Sequence, residues 1–139
     1  MPRFPETKTI NLIGKTAIIQ GSIYYFQPIV FVNAGDYTSW IARGQIRENY
    51  DKDDVLANIS FTKEFGDSYG GLSYPNSTFF FPTLGATVTS ALKSTPVGSS
   101  PVVGKSAWVY DIEIVNPQNA DEVYKPCRGM LQVLPEVTR

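Results

Sequence analysis

The sequence predicts an all-β protein: a single antiparallel β-sandwich, immunoglobulin-like in class, with about seven strands and at most a short helical turn near residues 83–93. Three observations point there. The stretch Ala107–Val115, AWVYDIEIV, alternates with period two, so Trp108, Tyr110, Ile112 and Ile114 share one face while Val109, Asp111 and Glu113 share the other. Short runs rich in aromatic and β-branched residues recur between clusters of Gly, Pro, Asn, Asp and Ser. No segment sustains a helical period.

Residues 1–15 form an expected extended N-terminal arm, with Pro2 and Pro5 and mixed charge at its start, and residues 16–139 the sandwich domain. Ile10 and Leu12, then Ala17-Ile18-Ile19, give two short strand signals separated by Gly14-Lys15 and ended by Gln20-Gly21. Ile23–Val32, IYYFQPIVFV, is strand-like, but Pro28 cannot donate to a ladder, so the strand should bend, bulge or lie at an edge there. After the turn signal Asn33-Ala34-Gly35-Asp36, Tyr37–Arg47 alternates, with Trp40, Ala42, Gly44 and Ile46 opposite Ile41, Arg43, Gln45 and Arg47. Gly44 should leave room for a large neighbour such as Trp108 or Tyr110. Beyond the polar link Glu48–Asp54, Val55, Ala57, Ile59 and Phe61 should point inward. Gly66–Gly71 is turn chemistry, and Thr78-Phe79-Phe80-Phe81 is a short strand stopped by Pro82. Thr83–Lys93 can hold a helical turn, weakened by its threonines and glycine. Ser94–Ser106 is a flexible or partner-ordered loop. After Ala107–Val115, the turn-rich Asn116–Asp121 leads to Gly129–Leu134, the expected partner strand of a hairpin.

The chain has 139 residues, enough for one domain with its own core. Charged residues make up 18%, below the usual quarter, which suggests a surface partly covered by partners. Net charge is −1 without a basic cluster, so nucleic acid is not an expected partner. The start lacks a signal-peptide core and no run reaches the ~20 apolar residues of a membrane span, so the expectation is a cytosolic protein with no membrane partner.

The sequence contains no histidine, which removes Ser-His-Asp and Cys-His catalysis and the common zinc sites. Gly66, Gly70 and Gly71 lack the spacing and lysine of a phosphate loop. Asp51-Lys52-Asp53-Asp54 lacks the glycine and terminal glutamate of an EF-hand, so a solvated turn is the simpler reading. Asp111 and Glu113 could pair for glycoside chemistry, but they are more simply the outer side of a strand. Cys127, the single cysteine, is expected to be a buried small hydrophobe. No catalytic, metal or cofactor residue is therefore assigned. Tyr24-Tyr25-Phe26 and Phe79-Phe80-Phe81 cannot each point wholly to one core, so at least one ring in each faces away. Such a ring is either covered by a second layer or an interface anchor, with sugar stacking a third option. The candidate interface residues are Phe4, Tyr24, Tyr25, Phe26, Phe79, Phe80, Phe81, Val97, Val102 and Val103.

The order Gln20-Gly21, then Tyr37–Arg47 (YTSWIARGQIR), then Trp108–Ile114 (WVYDIEI), then Gly129–Val133 and a terminal Pro135–Arg139 (PEVTR) resembles small phage and prophage structural proteins. It is similar to the N-terminal domain of the phage baseplate upper protein, over roughly residues 17–139. The sequence departs from that pattern in its added N-terminal arm and in Thr83–Ser106, which replaces an acidic, alanine-rich helical turn. The resemblance implies a non-enzymatic virion structural protein, a tail or baseplate adaptor that helps attach tail fibres or receptor-binding proteins. Its partners would be other virion proteins and copies of itself, and its location the virion, assembled in the host cytoplasm. A head or neck decoration or cement protein, and a host-surface carbohydrate-binding module, are the alternatives. The arm and the loop at 94–106 would order on neighbouring subunits.

Overall fold

The computed structural model describes residues 6–96 and 101–135, so Phe4 and Val97 lie outside the described residues. The architecture is the all-β, sandwich-like class expected, mostly strand with little helix. In chain order the elements are β1 (Lys8–Thr9), a 3-10 turn (Gly14–Thr16), β2 (Ile18–Ile19), β3 (Tyr24–Tyr25), β4 (Ile29–Phe31) and β5 (Ile41–Arg47). They continue with β6 (Ala57–Tyr69), β7 (Leu72–Leu84), α1 (Ala86–Ala91), β8 (Trp108–Asn116), β9 (Asn119–Leu131) and β10 (Val133–Leu134). One curled sheet of eight strands has the order β1-β9-β8-β5-β6-β7-β3, with β4 also on β7, and β2 and β10 form a second, two-stranded sheet.

Alternation sets which side of the curl each strand buries. Trp108, Tyr110, Ile112 and Ile114 of β8 are all buried, as are Trp40, Gly44 and Ile46 on and beside β5. Of these, Trp108, Tyr110, Ile112 and Ile46 meet Ile18, Phe26, Ile59, Leu84, Leu92, Leu131 and Val133 in the main core, which therefore draws on both sheets. Each such large apolar side chain contributes roughly 1.5–3 kcal/mol on leaving water. A second cluster of Phe31, Trp40, Phe80, Ile114 and Tyr124 fills the other end. There Tyr37 lies edge-on between Phe31 and Trp40, with ring centroids 5.0 Å from each.

Several sequence expectations are corrected. Pro82 does not stop the strand, since β7 runs through it to Leu84. In an extended strand the N–H and C=O of one residue point the same way, and the Pro82 carbonyl accepts from Phe26 N–H at 3.1 Å. Its missing donor therefore faces the break between β3 and β4, where Gln27 and Pro28 interrupt the pairing and no partner is deprived. The β8–β9 hairpin closes earlier than expected: Asn116 already pairs with Asn119, and β9 takes up the pairing well before Gly129. Val55 precedes β6 and is exposed rather than inward. The neighbours of Gly44 are not Trp108 or Tyr110 but its ladder partners Ile112 and Ile59.

The N-terminal arm is extended but not free. β1 lies parallel to β9, Lys8 opposite Cys127 and Thr9 opposite Arg128. Ile10 and Leu12 continue it by donating to the carbonyls of Arg128 and Met130, at 2.9 and 2.8 Å. β2 likewise runs parallel to β10. These two parallel pairings depart from a purely antiparallel sandwich and bring the first described strands onto the last. The described ends of the 94–106 loop are also held by the chain itself. Buried Thr95 bonds Val133 through both its N–H and its hydroxyl, while Val102 accepts a turn from Lys105 and Ser106.

Candidate functional site

An open concavity lies on the outer face of β5 and β8, the side that alternation turns away from the core. It is an open cleft of about 370 Å³ lined by Arg43, Gln45, Arg47, Tyr50, Val109, Asp111 and Glu113, among others. Register explains the lining, because Arg43 lies opposite Glu113, Gln45 opposite Asp111 and Arg47 opposite Val109. Across β8 the rows extend to β9, where Arg128 faces Asp111 and Met130 faces Val109. The row above the cleft is apolar: Ile41, Val115 and Val123 stand side by side on the three strands, with Ile41 half exposed.

The charges of the cleft are partly spent within it. Arg43 Nε pairs with Glu113. Among the described residues Arg47 has neutral partners, donating to the Lys52 carbonyl at 3.1 Å and to Gln45 Oε1 at 2.6 Å. The Arg128 guanidinium lies 5.9 Å from the Tyr50 ring centre, within cation–π range. Two carboxylates and three guanidiniums on an open sheet face suit ion pairs and hydrogen bonds to a partner's polar groups. Asp111 and Glu113 belong to this mixed-charge face, and Glu113 is already paired with a cation.

Elsewhere, no group of three or more Cys, Asp or Glu side chains is placed to hold a metal ion among the described residues. Cys127 is buried as expected, and burial pushes its thiol up to about 11 despite a hydrogen bond with Tyr110. A thiol held neutral in this way is a poor nucleophile. The Tyr110 hydroxyl donates to the Ile10 carbonyl at 2.7 Å, and burial again raises its pKa first, with Cys127 second. No described helix is long and apolar enough to cross a membrane.

The aromatic triplets resolve differently. Phe26 is buried in the main core; Tyr24 is half-buried, packing edge-on to Phe26 at 4.9 Å and donating its hydroxyl to the Thr16 carbonyl at 2.7 Å. Tyr25 alone projects, 72% exposed. In the second triplet Phe80 points into the core, while Phe79 and Phe81 lie on the outer side and yet Phe79 is only 1% exposed. What covers them is the tip of their own hairpin. Phe81 is opposite Thr62, seven residues from Tyr69 along β6, a separation of roughly 20 Å in a straight strand. Instead the Tyr69 ring lies 5.4 Å from Phe81 and 5.7 Å from Phe79, and Tyr74 lies 5.8 Å from Phe79. Residues 68–74 are therefore folded back over β7. This removes Phe79 and Phe80 from any exposed stacking platform. Val102 is exposed and Val103 half-buried, as an interface role for this loop allows.

Neither the cleft nor the folded-back tip was singled out from sequence. The cleft's Arg43, Gln45 and Arg47 were legible as one strand face, but pairing with Asp111 and Glu113 needed the strand order. No family model matches the chain, and no curated protein matches it.

Proposed function

We propose that this protein is a non-enzymatic structural protein of a phage virion, acting as a tail or baseplate adaptor that helps attach fibres or receptor-binding proteins. The observation that carries the proposal joins sequence to surface. Among the segments that resemble the baseplate upper protein, Tyr37–Arg47, Trp108–Ile114 and Gly129–Val133 supply β5, most of β8 and the last residues of β9, three strands adjacent in the sheet. Their common outer face presents the charged cleft and, beside it, the apolar row of Ile41, Val115 and Val123. An apolar strip next to a mixed-charge patch is the composition of a specific, non-obligate protein interface, in which charge fixes register and apolar burial supplies affinity. Tyr25, the most exposed of the large hydrophobic side chains among the described residues, stands on β3 at the far end of the strand order and offers a separate contact.

The adaptor role is geometric. A rigid sandwich holds these surfaces at fixed positions, so that one face binds a neighbour while another remains free for fibre attachment. Mass spectrometry of purified particles, separated into heads and tails, tests this. Recovery with the tails is expected. Recovery with heads alone would favour a decoration role, and absence from both fractions would overturn the proposal.

A further inference from the structure

The β6–β7 hairpin folds back through a built hinge. Gly66 pairs with Ser77 and Ser68 with Ser73, so two steps along β6 face four along β7, and Tyr74, Pro75 and Asn76 crowd opposite Asp67. Asn76 adopts φ 54, in the left-handed region, and its N–H donates to Asp67 Oδ1 at 2.9 Å.

The two sides of this hinge are held in different ways. On the body side, Ser77 and Thr78 are fully buried. Ser77 Oγ accepts from Asn33 N–H at 3.0 Å, while Thr78 Oγ1 accepts from Tyr37 N–H and donates to the Gly35 carbonyl, at 2.8 and 2.7 Å. On the tip side, residues 68–74 make no hydrogen bond or ion pair outside their own hairpin among the described residues. Their hold on the body is the packing of Tyr69 and Tyr74 on Phe79 and Phe81.

We propose that residues 68–74 are an exchange arm: the tip swings out at Gly66–Ser68 and Asn76 and lays its two tyrosines on Phe79 and Phe81 of a second copy, reciprocally. The occupant follows from what already fills the site. An identical tip from a second copy regains every ring contact that opening gives up, so the only net costs are association and hinge rearrangement. Straightening the hinge also relieves the left-handed conformation of Asn76. This exchange needs no other virion protein, so purified protein decides it whatever particle fractionation shows.

The test uses the full chain with Cys127→Ala as background. A β-branched residue is strained in the left-handed region and glycine is not, so Asn76→Val should raise the dimer-to-monomer ratio at a fixed concentration by on the order of tenfold or more, and Asn76→Gly should lower it. Light scattering coupled to size exclusion reads this ratio. With Thr62→Cys and Leu72→Cys introduced together, at exposed positions paired with Phe81 and Tyr69 so that the ring contacts stay intact, a short bis-maleimide should join the two positions within one chain in the monomer fraction and between chains in the dimer fraction. Linkage that stays within chains in the dimer fraction overturns exchange. So does a protein that remains monomeric up to millimolar concentration. Should Asn76→Val fail to fold by circular dichroism, the linkage pattern of the otherwise unaltered chain decides alone.

Discussion

At Gly129 the carbonyl of Ile10 occupies the place a Cβ would take, closer than real Cβ atoms ever come to a neighbour. Gly129→Ala must therefore push the N-terminal segment off β9. We expect a loss of roughly 1–3 kcal/mol, as for other overpacked sites, seen as a lower urea midpoint. Gly44→Ala meets Ile59 Cδ1 at 2.9 Å and the Asp111 carbonyl at 3.1 Å; here a side chain can yield more than backbone can, so the loss should be smaller. Cys127 makes a pH-dependent prediction. Its thiol is raised from 9.0 to about 11 by burial, so the folded chain holds this proton more tightly than the unfolded chain does. The associated stability is fully present below pH 9 and is lost as pH rises toward 11, on the order of 2 kcal/mol. Thermal melts from pH 7 to 11 should show this decline. In Cys127→Ala it should begin later, where tyrosines start to ionise.

At the scale of elements, the first strands are held to the body unequally. β1 contributes a two-residue pairing on the surface. Leu12 is buried in the core, and Ile10 supplies the carbonyl that Tyr110 needs. Deleting residues 1–9 should leave the fold intact. Deleting residues 1–13 should cost roughly 3–6 kcal/mol, from a lost core side chain and an unpaired buried hydroxyl, measurable by chemical denaturation. Thr95 plays a similar part between loop and β10, so Thr95→Ala should cost about 1–2 kcal/mol. What sequence revealed of these elements depended on local alternation. The faces of β5 and β8 were legible because each alternates cleanly, and α1 lies within the expected segment 83–93. The continuation of β7 past Pro82 was hidden, because a proline is harmless only where the neighbouring strand is interrupted. The early start of β9 was hidden too, because within Asn119–Lys125 only Tyr124 is buried and the rest is held by pairing with β8. The cleft depends on strand order, which one strand's pattern does not encode. That at least one ring of Phe79-Phe80-Phe81 faces away from the core could be recognised, yet the cover over Phe79 comes from a hinge built of Gly66, Asp67 and Asn76, residues that in sequence resemble an ordinary turn.

For the whole molecule, the adaptor proposal ties surface chemistry to incorporation into particles. Arg43→Glu sets like charges against Glu113 on an exposed face, so stability should change by less than about 1 kcal/mol, while recovery of the protein in the tail fraction should fall severalfold. Paired restoration with Glu113→Arg should recover stability, and should recover incorporation only if the partner does not read the orientation of the pair. The parallel pairings of β1 on β9 and β2 on β10 have a mechanical consequence. A pull applied through the segments preceding β1 and following β10 loads both pairings along the strand direction. Their hydrogen bonds then resist together in shear instead of opening one after another like a zipper. A protein built this way should hold far more force along its own chain direction than when pulled through the β6–β7 tip, a useful property for a link between a particle and the surface to which its fibres attach.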